Sequence, residues 1–236
     1  KLKSLYFLCH TENLKICLLC DFLPSDSPKM PEDSALLKSL TKVIDSLNKE
    51  LGESFNAVIR RRTFSKTENQ FIGYERKRGA IEQLIGYIKE KNQENIIIIG
   101  NKSGFEKTKY LIALDYDTKP LMDTPSELIS IAEHPLNAPE VCNNVVTKGY
   151  GIIAPKISTQ LESSLKSPFA KLFGGVGSSS AYDVMCGNLY QDCFHESIFA
   201  GKGLINVETY YALCYKKFPD DSILSHDILE GSILRT

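Results

Sequence analysis

Four consecutive isoleucines, Ile96 to Ile99, constrain the fold more than any other stretch of this chain. An unbroken β-branched run fits a strand buried on both faces. A second apolar run follows at Tyr110-Leu111-Ile112-Ala113-Leu114, and together the two predict parallel-type βαβ architecture. At 236 residues, 42% of them hydrophobic, the chain can bury a real core. Between Leu36 and Leu51 apolar residues recur at helical spacing behind the acids Glu32 and Asp33, with Gly52 as a stop. A second helix is predicted from Arg78 to Lys91 and a third across Ser126 to Ala132, with strands at 2–9, 14–22, Asn56 to Phe64 and Tyr150 to Ile157. Gly174 to Ser180 is the candidate for a mobile active-site loop, or for a plain linker. No internal repeat is visible.

The second run stops on Asp115-Tyr116-Asp117-Thr118. Residues i and i+2 of a strand point the same way, so Asp115 and Asp117 are expected to project together from its carboxyl end, where open α/β sheets bind ligands. Two convergent carboxylates need compensation, and Mg²⁺ or Mn²⁺ between carboxylates and substrate phosphates supplies it. The alternative is a turn that merely ends the strand.

With 28 basic and 29 acidic side chains the formal charge is −1, so no bulk electrostatic footprint for nucleic acid exists. Arg60-Arg61-Arg62 and Glu75-Arg76-Lys77-Arg78 form the one basic concentration, either a phosphate-binding rim or a solvated face. Seven scattered cysteines give no paired framework and fit a reducing compartment. The Cys17-Leu18-Leu19-Cys20 pattern reads as buried thiols. No apolar run is long enough to span a bilayer, so the chain itself is expected to be soluble. HExxH, GxSxG and P-loop motifs are missing.

In order along the chain stand Glu75-Arg76-Lys77-Arg78-Gly79-Ala80, Leu114-Asp115-Tyr116-Asp117-Thr118, His134-Pro135-Leu136-Asn137, Gly149-Tyr150-Gly151-Ile152, Tyr190-Gln191-Asp192, Phe199-Ala200-Gly201-Lys202-Gly203 and Ser225-His226-Asp227-Ile228-Leu229-Glu230-Gly231. This succession resembles the glycosyltransferase domain of the cyclic β-1,2-glucan synthases over nearly the whole chain. The resemblance implies one domain over 1–236 with an α/β fold of GT-A type: a Rossmann-like, mixed but mostly parallel sheet flanked by helices. It implies inverting, metal-dependent transfer of glucose from UDP-glucose to a β-glucan acceptor. It also implies a parent protein at the cytoplasmic face of the inner membrane, with transmembrane flanks and a phosphorylase-like partner domain. No nucleic-acid partner is expected.

Carried onto this sequence, the resemblance makes Asp115 and Asp117 the metal and diphosphate ligands, with Mg²⁺ or Mn²⁺ as cofactor. Asp227 becomes the general base, and Glu230 a residue that holds the acceptor or orients the base; a helix N-cap accounts for Ser225 or Asp227 equally well. Lys77 and Arg78 are donor contacts, against an ion pair with Glu75. Gly201, Lys202 and Gly203 approach the donor sugar, or form a turn. Asp21 contacts the nucleotide base, or only ends its strand. The family's later Arg-Trp acceptor motif has no counterpart, since the chain has no Trp. Rival readings are another nucleotide-sugar transferase of this fold, a non-catalytic binding module and a pyrophosphate-releasing nucleotidyltransferase.

Overall fold

A computed structural model describes residues 1–9, 11, 13–157, 160, 165–173, 189–223 and 227–236. The chain opens with helix α1 (Leu2–Cys9) and strand β1 (Ile16–Asp21), then helix α2 (Asp33–Leu51) and strand β2 (Phe55–Arg60). A short hairpin follows, β3 (Thr63–Ser65) and β4 (Gln70–Ile72), then α3 (Arg76–Glu90), β5 (Ile96–Gly100), β6 (Tyr110–Ala113) and α4 (Thr124–Glu133). The rest comprises the hairpin β7 (Glu140–Cys142) and β8 (Val145–Lys148), strand β9 (Ile152–Ile153), helices α5 (Pro168–Phe173) and α6 (Leu189–Phe194), strand β10 (Gly203–Asn206), α7 (Val207–Leu213) and α8 (Asp227–Leu234). Among the described residues no helix is long and apolar enough to cross a membrane.

Two three-stranded sheets carry the architecture, β1-β2-β5 and β6-β10-β9. In the first, alternation splits each strand between two cores. Val58, Ile96 and Ile98, with Cys17 and Leu19 against them, face a large core built by α3, α7 and α8. Phe55, Ala57 and Ile59, with Ile16, Leu18, Ile97 and Ile99, face a smaller one under α1 and α2. The isoleucine run thus lies between two helical layers, as its composition predicts. Its direction differs from expectation: β1 and β2 are parallel, but β5 runs antiparallel to β2, and β10 is antiparallel to both β6 and β9. The first sheet is mixed and the second antiparallel, so the architecture is not mostly parallel. Burial on both faces demands apolar side chains in either orientation, so the run encodes burial and leaves direction to the connection, here the β3–β4 hairpin plus α3.

The first predicted strand is also overturned, because 2–9 is helix α1. Leu2 and Tyr6, one turn apart, pack against the α2 core and Cys9 is buried; this i, i+4, i+7 pattern had the helical period all along. The α2 prediction holds, with the Gly52 N–H closing the helix on Asn48 O at 3.0 Å. Only Ile152 and Ile153 of the run predicted from Tyr150 to Ile157 form a strand. Gly174 to Ser180 lies outside the described residues. Cys17 and Cys20 sit within β1, where burial first, and then Cys20 beside Cys17 and Asp21 beside Cys20, push the thiols up to about 12 and about 11, so neither is a thiolate nucleophile near neutrality.

Candidate active site

Four segments far apart in sequence meet at Gly201. Lys77, in the first turn of α3, donates from Nζ to Asp115 Oδ1 at 2.6 Å and to the carbonyl oxygen of Gly201. Lys202 Nζ reaches the other oxygen of Asp115 at 2.9 Å. Asp227, the first residue of α8, packs on the bare Cα of Gly201: a Cβ there would lie 2.8 Å from Asp227 Oδ1. Gly201 also has φ +71°, a left-handed conformation that disfavours any side chain. Glycine is needed here twice, for the turn and for the carboxylate against it.

Charge at this cluster is internally balanced. Burial pushes the Asp115 carboxyl up, but hydrogen bonds from Lys77 and Lys202 outweigh it and hold the group below the usual aspartate range. Strand β6 ends at Ala113, and the Asp115 carbonyl accepts from the Thr118 N–H at 3.1 Å. Asp115 and Asp117 therefore occupy a turn rather than alternate positions of one strand, and Asp117 is exposed. The geometric reason given for pairing them is lost, although they remain two residues apart. Among the described residues no three metal-ligating side chains gather.

Several expected site residues turn out to be fastenings. Asp21 ends β1 with both oxygens held by Arg60, at 2.5 Å from Nε and 2.6 Å from Nη2. The fully buried Arg60 also donates to the carbonyl oxygens of Gly73, Tyr74 and Arg76 at 2.9, 2.8 and 2.7 Å. That clamp fixes the entry to α3 and hence the root of Lys77. Arg78 is buried at 1% exposure and pairs with Glu75 and, at 3.2 Å, Glu82, so the ion pair weighed against a donor contact is present. Glu230 has no exposed surface and accepts from the Tyr210 hydroxyl at 2.6 Å. It cannot touch an acceptor from there and instead anchors α8, one turn beyond Asp227. Gly203, at φ +152°, leaves room for the Ile153 carbonyl 2.5 Å from where its Cβ would stand, so the β9–β10 pairing requires glycine here. Ser225 and His226 lie outside the described residues.

Of the groups that hold the approach to α8, Glu75 belongs to the motif around Lys77, whereas Asp221, Ser65 and Thr67 belong to none. Glu75 accepts from the backbone N–H groups of Ser222 and Ile223 at 3.2 and 3.4 Å. Asp221 accepts from the hydroxyls of Ser65 at 2.8 Å and Thr67 at 3.2 Å, tying the approach to α8 to the β3–β4 turn. Beside the cluster, Lys202 and Ala200 also border a cleft of about 460 Å³ that extends along β9 to Gln191 and His195. The Tyr190-Gln191-Asp192 motif was the one sequence signal for it.

No family model matches the chain. Over 226 residues, 92% of its length, it is 30% identical to the cyclic beta-(1,2)-glucan synthase NdvB of Rhizobium meliloti (strain 1021). It spans 8% of that protein's length, and so is related in sequence to one segment of a glucan synthase.

Proposed function

We propose that this chain is a GT-A type glycosyltransferase domain that moves glucose from UDP-glucose to a β-1,2-glucan acceptor with inversion at the anomeric carbon. The observation that carries the reading is the convergence of Asp115, Lys77, Lys202 and Asp227 on Gly201. These are the groups that diphosphate departure and hydroxyl attack require, and they come from segments spanning 150 residues of sequence. The identity to a glucan synthase over most of the chain points to the same class of reaction.

In this reading the acceptor hydroxyl oxygen forms a bond to the anomeric carbon as the bond from that carbon to the diphosphate oxygen breaks. The hydroxyl proton goes to the Asp227 carboxylate, and the electron pair of the broken bond leaves with UDP. Lys77 and Lys202 stabilise negative charge at the departing phosphates when they turn from Asp115 to the donor. The donor set fits Mg²⁺ or Mn²⁺, since such ions take one or two carboxylates and complete their shell with substrate phosphate and water. Asp115 and Asp117 would hold the ion, and its chemistry is to neutralise the diphosphate as charge develops. Because both oxygens of Asp115 face ammonium groups, metal and lysines would share that carboxylate. The parent protein is proposed to work at the cytoplasmic face of a membrane, with a phosphorylase-like partner domain.

Calorimetric titration of UDP and UDP-glucose, with and without Mn²⁺, tests the donor site. Binding is expected to require metal and to be lost in Asp115→Asn/Asp117→Asn. Asp227→Asn is expected to retain donor binding and lose transfer by about 10²-fold or more. A folded chain that binds neither ligand, or one that releases pyrophosphate instead of UDP, would overturn the reading.

A further inference from the structure

We infer that this chain associates with a second copy of itself through the open edge of strand β5, the two edges pairing antiparallel about a two-fold axis at Ile98. The inference is independent of the transferase reading. Strand β5 is the outermost of its sheet, and among the described residues it is paired on its β2 side alone. The Arg61 N–H donates to the Asn95 carbonyl at 2.7 Å, and Asn95 stands opposite Arg61 by continuation of the register that sets Ile96 against Arg60. Hydrogen-bonded pairs alternate along an antiparallel ladder, so Ile97 and Ile99 turn their amides and carbonyls to β2, whereas Ile96 and Ile98 turn theirs outward. Among the described residues no further backbone hydrogen bond reaches those outward groups. Along this edge runs a groove of about 730 Å³, between Ile98 to Asn101 and the flank of α2 that carries Thr41, Asp45, Asn48 and Lys49. An apolar edge left open in this way is a template for another strand.

The edge is complementary to itself. Counted outward from Ile98, one direction reads Ile99, Gly100, Asn101, Lys102 and the other Ile97, Ile96, Asn95, Glu94. A two-fold axis at Ile98 therefore sets isoleucine against isoleucine, Gly100 against Ile96, amide against amide, and Lys102 against Glu94 of the second copy. In that register the outward groups of Ile98 meet those of its own counterpart, and facing residues of this kind exchange two hydrogen bonds. A slip by one residue would set outward groups against inward ones, and a slip by two would part Glu94 from Lys102. Glu94 and Lys102 are both exposed, and among the described residues neither side chain has an ion pair of its own. Burial narrows the occupant further. Ile96 and Ile98 face the α3 core while Ile97 and Ile99 face the α2 core, so a strand added here must be apolar on both faces, as β5 is. The groove's rim carries Asp45 and Glu53 beside Lys49, a mixed set that suits its own copy turned about the axis and gives no single-sign surface to an acidic or a basic partner.

Sedimentation equilibrium of the whole chain tests the pairing. Wild type is expected to show a concentration-dependent equilibrium between monomer and dimer. Glu94→Lys and Lys102→Glu each place like charges together at both ends of the paired run, and either alone is expected to raise the dimer dissociation constant at least about tenfold. Equimolar mixing of the two variants, or Glu94→Lys/Lys102→Glu in one chain, brings opposite charges back together and is expected to restore the dimer. Both positions are exposed, and circular dichroism confirms that each variant is folded. Amide hydrogen exchange reads the same edge: protection at Ile96 and Ile98 is expected to rise with wild-type concentration and to fall in either single variant. A wild type that stays monomeric, or that polymerises without closing at two copies, would overturn the inference. So would a dimer that neither single variant weakens, or one that mixing the two fails to restore.

Discussion

Gly201 concentrates the demands of the site in a single residue. Its left-handed φ and the contact with Asp227 make two separate penalties for any side chain. Gly201→Ala is expected to cost about 1–2 kcal/mol through the backbone alone, read as a lowered urea midpoint, and also to push the Asp227 carboxylate aside. Transfer should fall much further than stability, whereas a merely structural glycine would lower both together. The motifs at 75–78, 115–118, 201–203 and 227–230 were all visible in the sequence, but they did not separate contact from support. Lys77 and Arg78 are neighbours with the same charge, yet the helix turns one toward Asp115 and the other into the interior. Asp227 and Glu230 are one turn apart, and only the first reaches Gly201. Side-chain direction on a helix follows from what packs behind it: Arg78 lies 5.2 Å from the centroid of the Phe218 ring and beside Glu82, Glu230 meets Tyr210, and none of these partners has a signature in a one-dimensional reading.

At the scale of elements, α3 joins the site to the core. Ile85 on its inner face is fully buried, and Ile85→Ala is expected to cost about 2–5 kcal/mol, measured by urea unfolding. Between α7 and α8 the contact is polar: Tyr210→Phe takes a hydrogen bond from a carboxylate with no exposed surface, with an expected loss of about 1–3 kcal/mol. Helix α2 is tied to the segment after β2 by Asp33, which accepts from Arg62 at 2.6 and 3.0 Å. Those bonds first, and Coulomb attraction with them, lower the Asp33 carboxyl below its ordinary 3.8. Below that ordinary value the unfolded chain takes up a proton that the folded one refuses, so this stabilisation is complete above it and disappears as pH falls through the lowered value. Urea midpoints of Asp33→Asn should accordingly decline less than those of wild type on acidification. Helix α2 was readable because its period persists for five turns. Helix α1 was not, because eight residues hold too few repeats to separate a period of 3.6 from an apolar strand.

For the whole molecule, one core takes side chains from both sheets: Val58, Ile96 and Ile98 meet Ile152 and Ile205 beneath α3 and α7. The last residues close it. Leu234 is fully buried, and the carbonyls of Leu234, Arg235 and Thr236 accept from Gly151, Ile152 and Ser197 at 2.7, 3.1 and 2.7 Å. Deleting residues 232–236 is thus expected to abolish the cooperative thermal transition followed by circular dichroism, although no sheet strand is removed. A shared core of this kind is invisible to motif reading, which registers the loops around a site and not the joint that aligns them. Lys202 has the widest reach in this arrangement. Its ammonium pairs with Asp115 and the same residue borders the neighbouring cleft. In the transferase reading, linkage would make any influence between the two equal in both directions: whatever factor a sugar donor at Asp115 applied to the affinity of a ligand in the cleft, that ligand would apply to the donor.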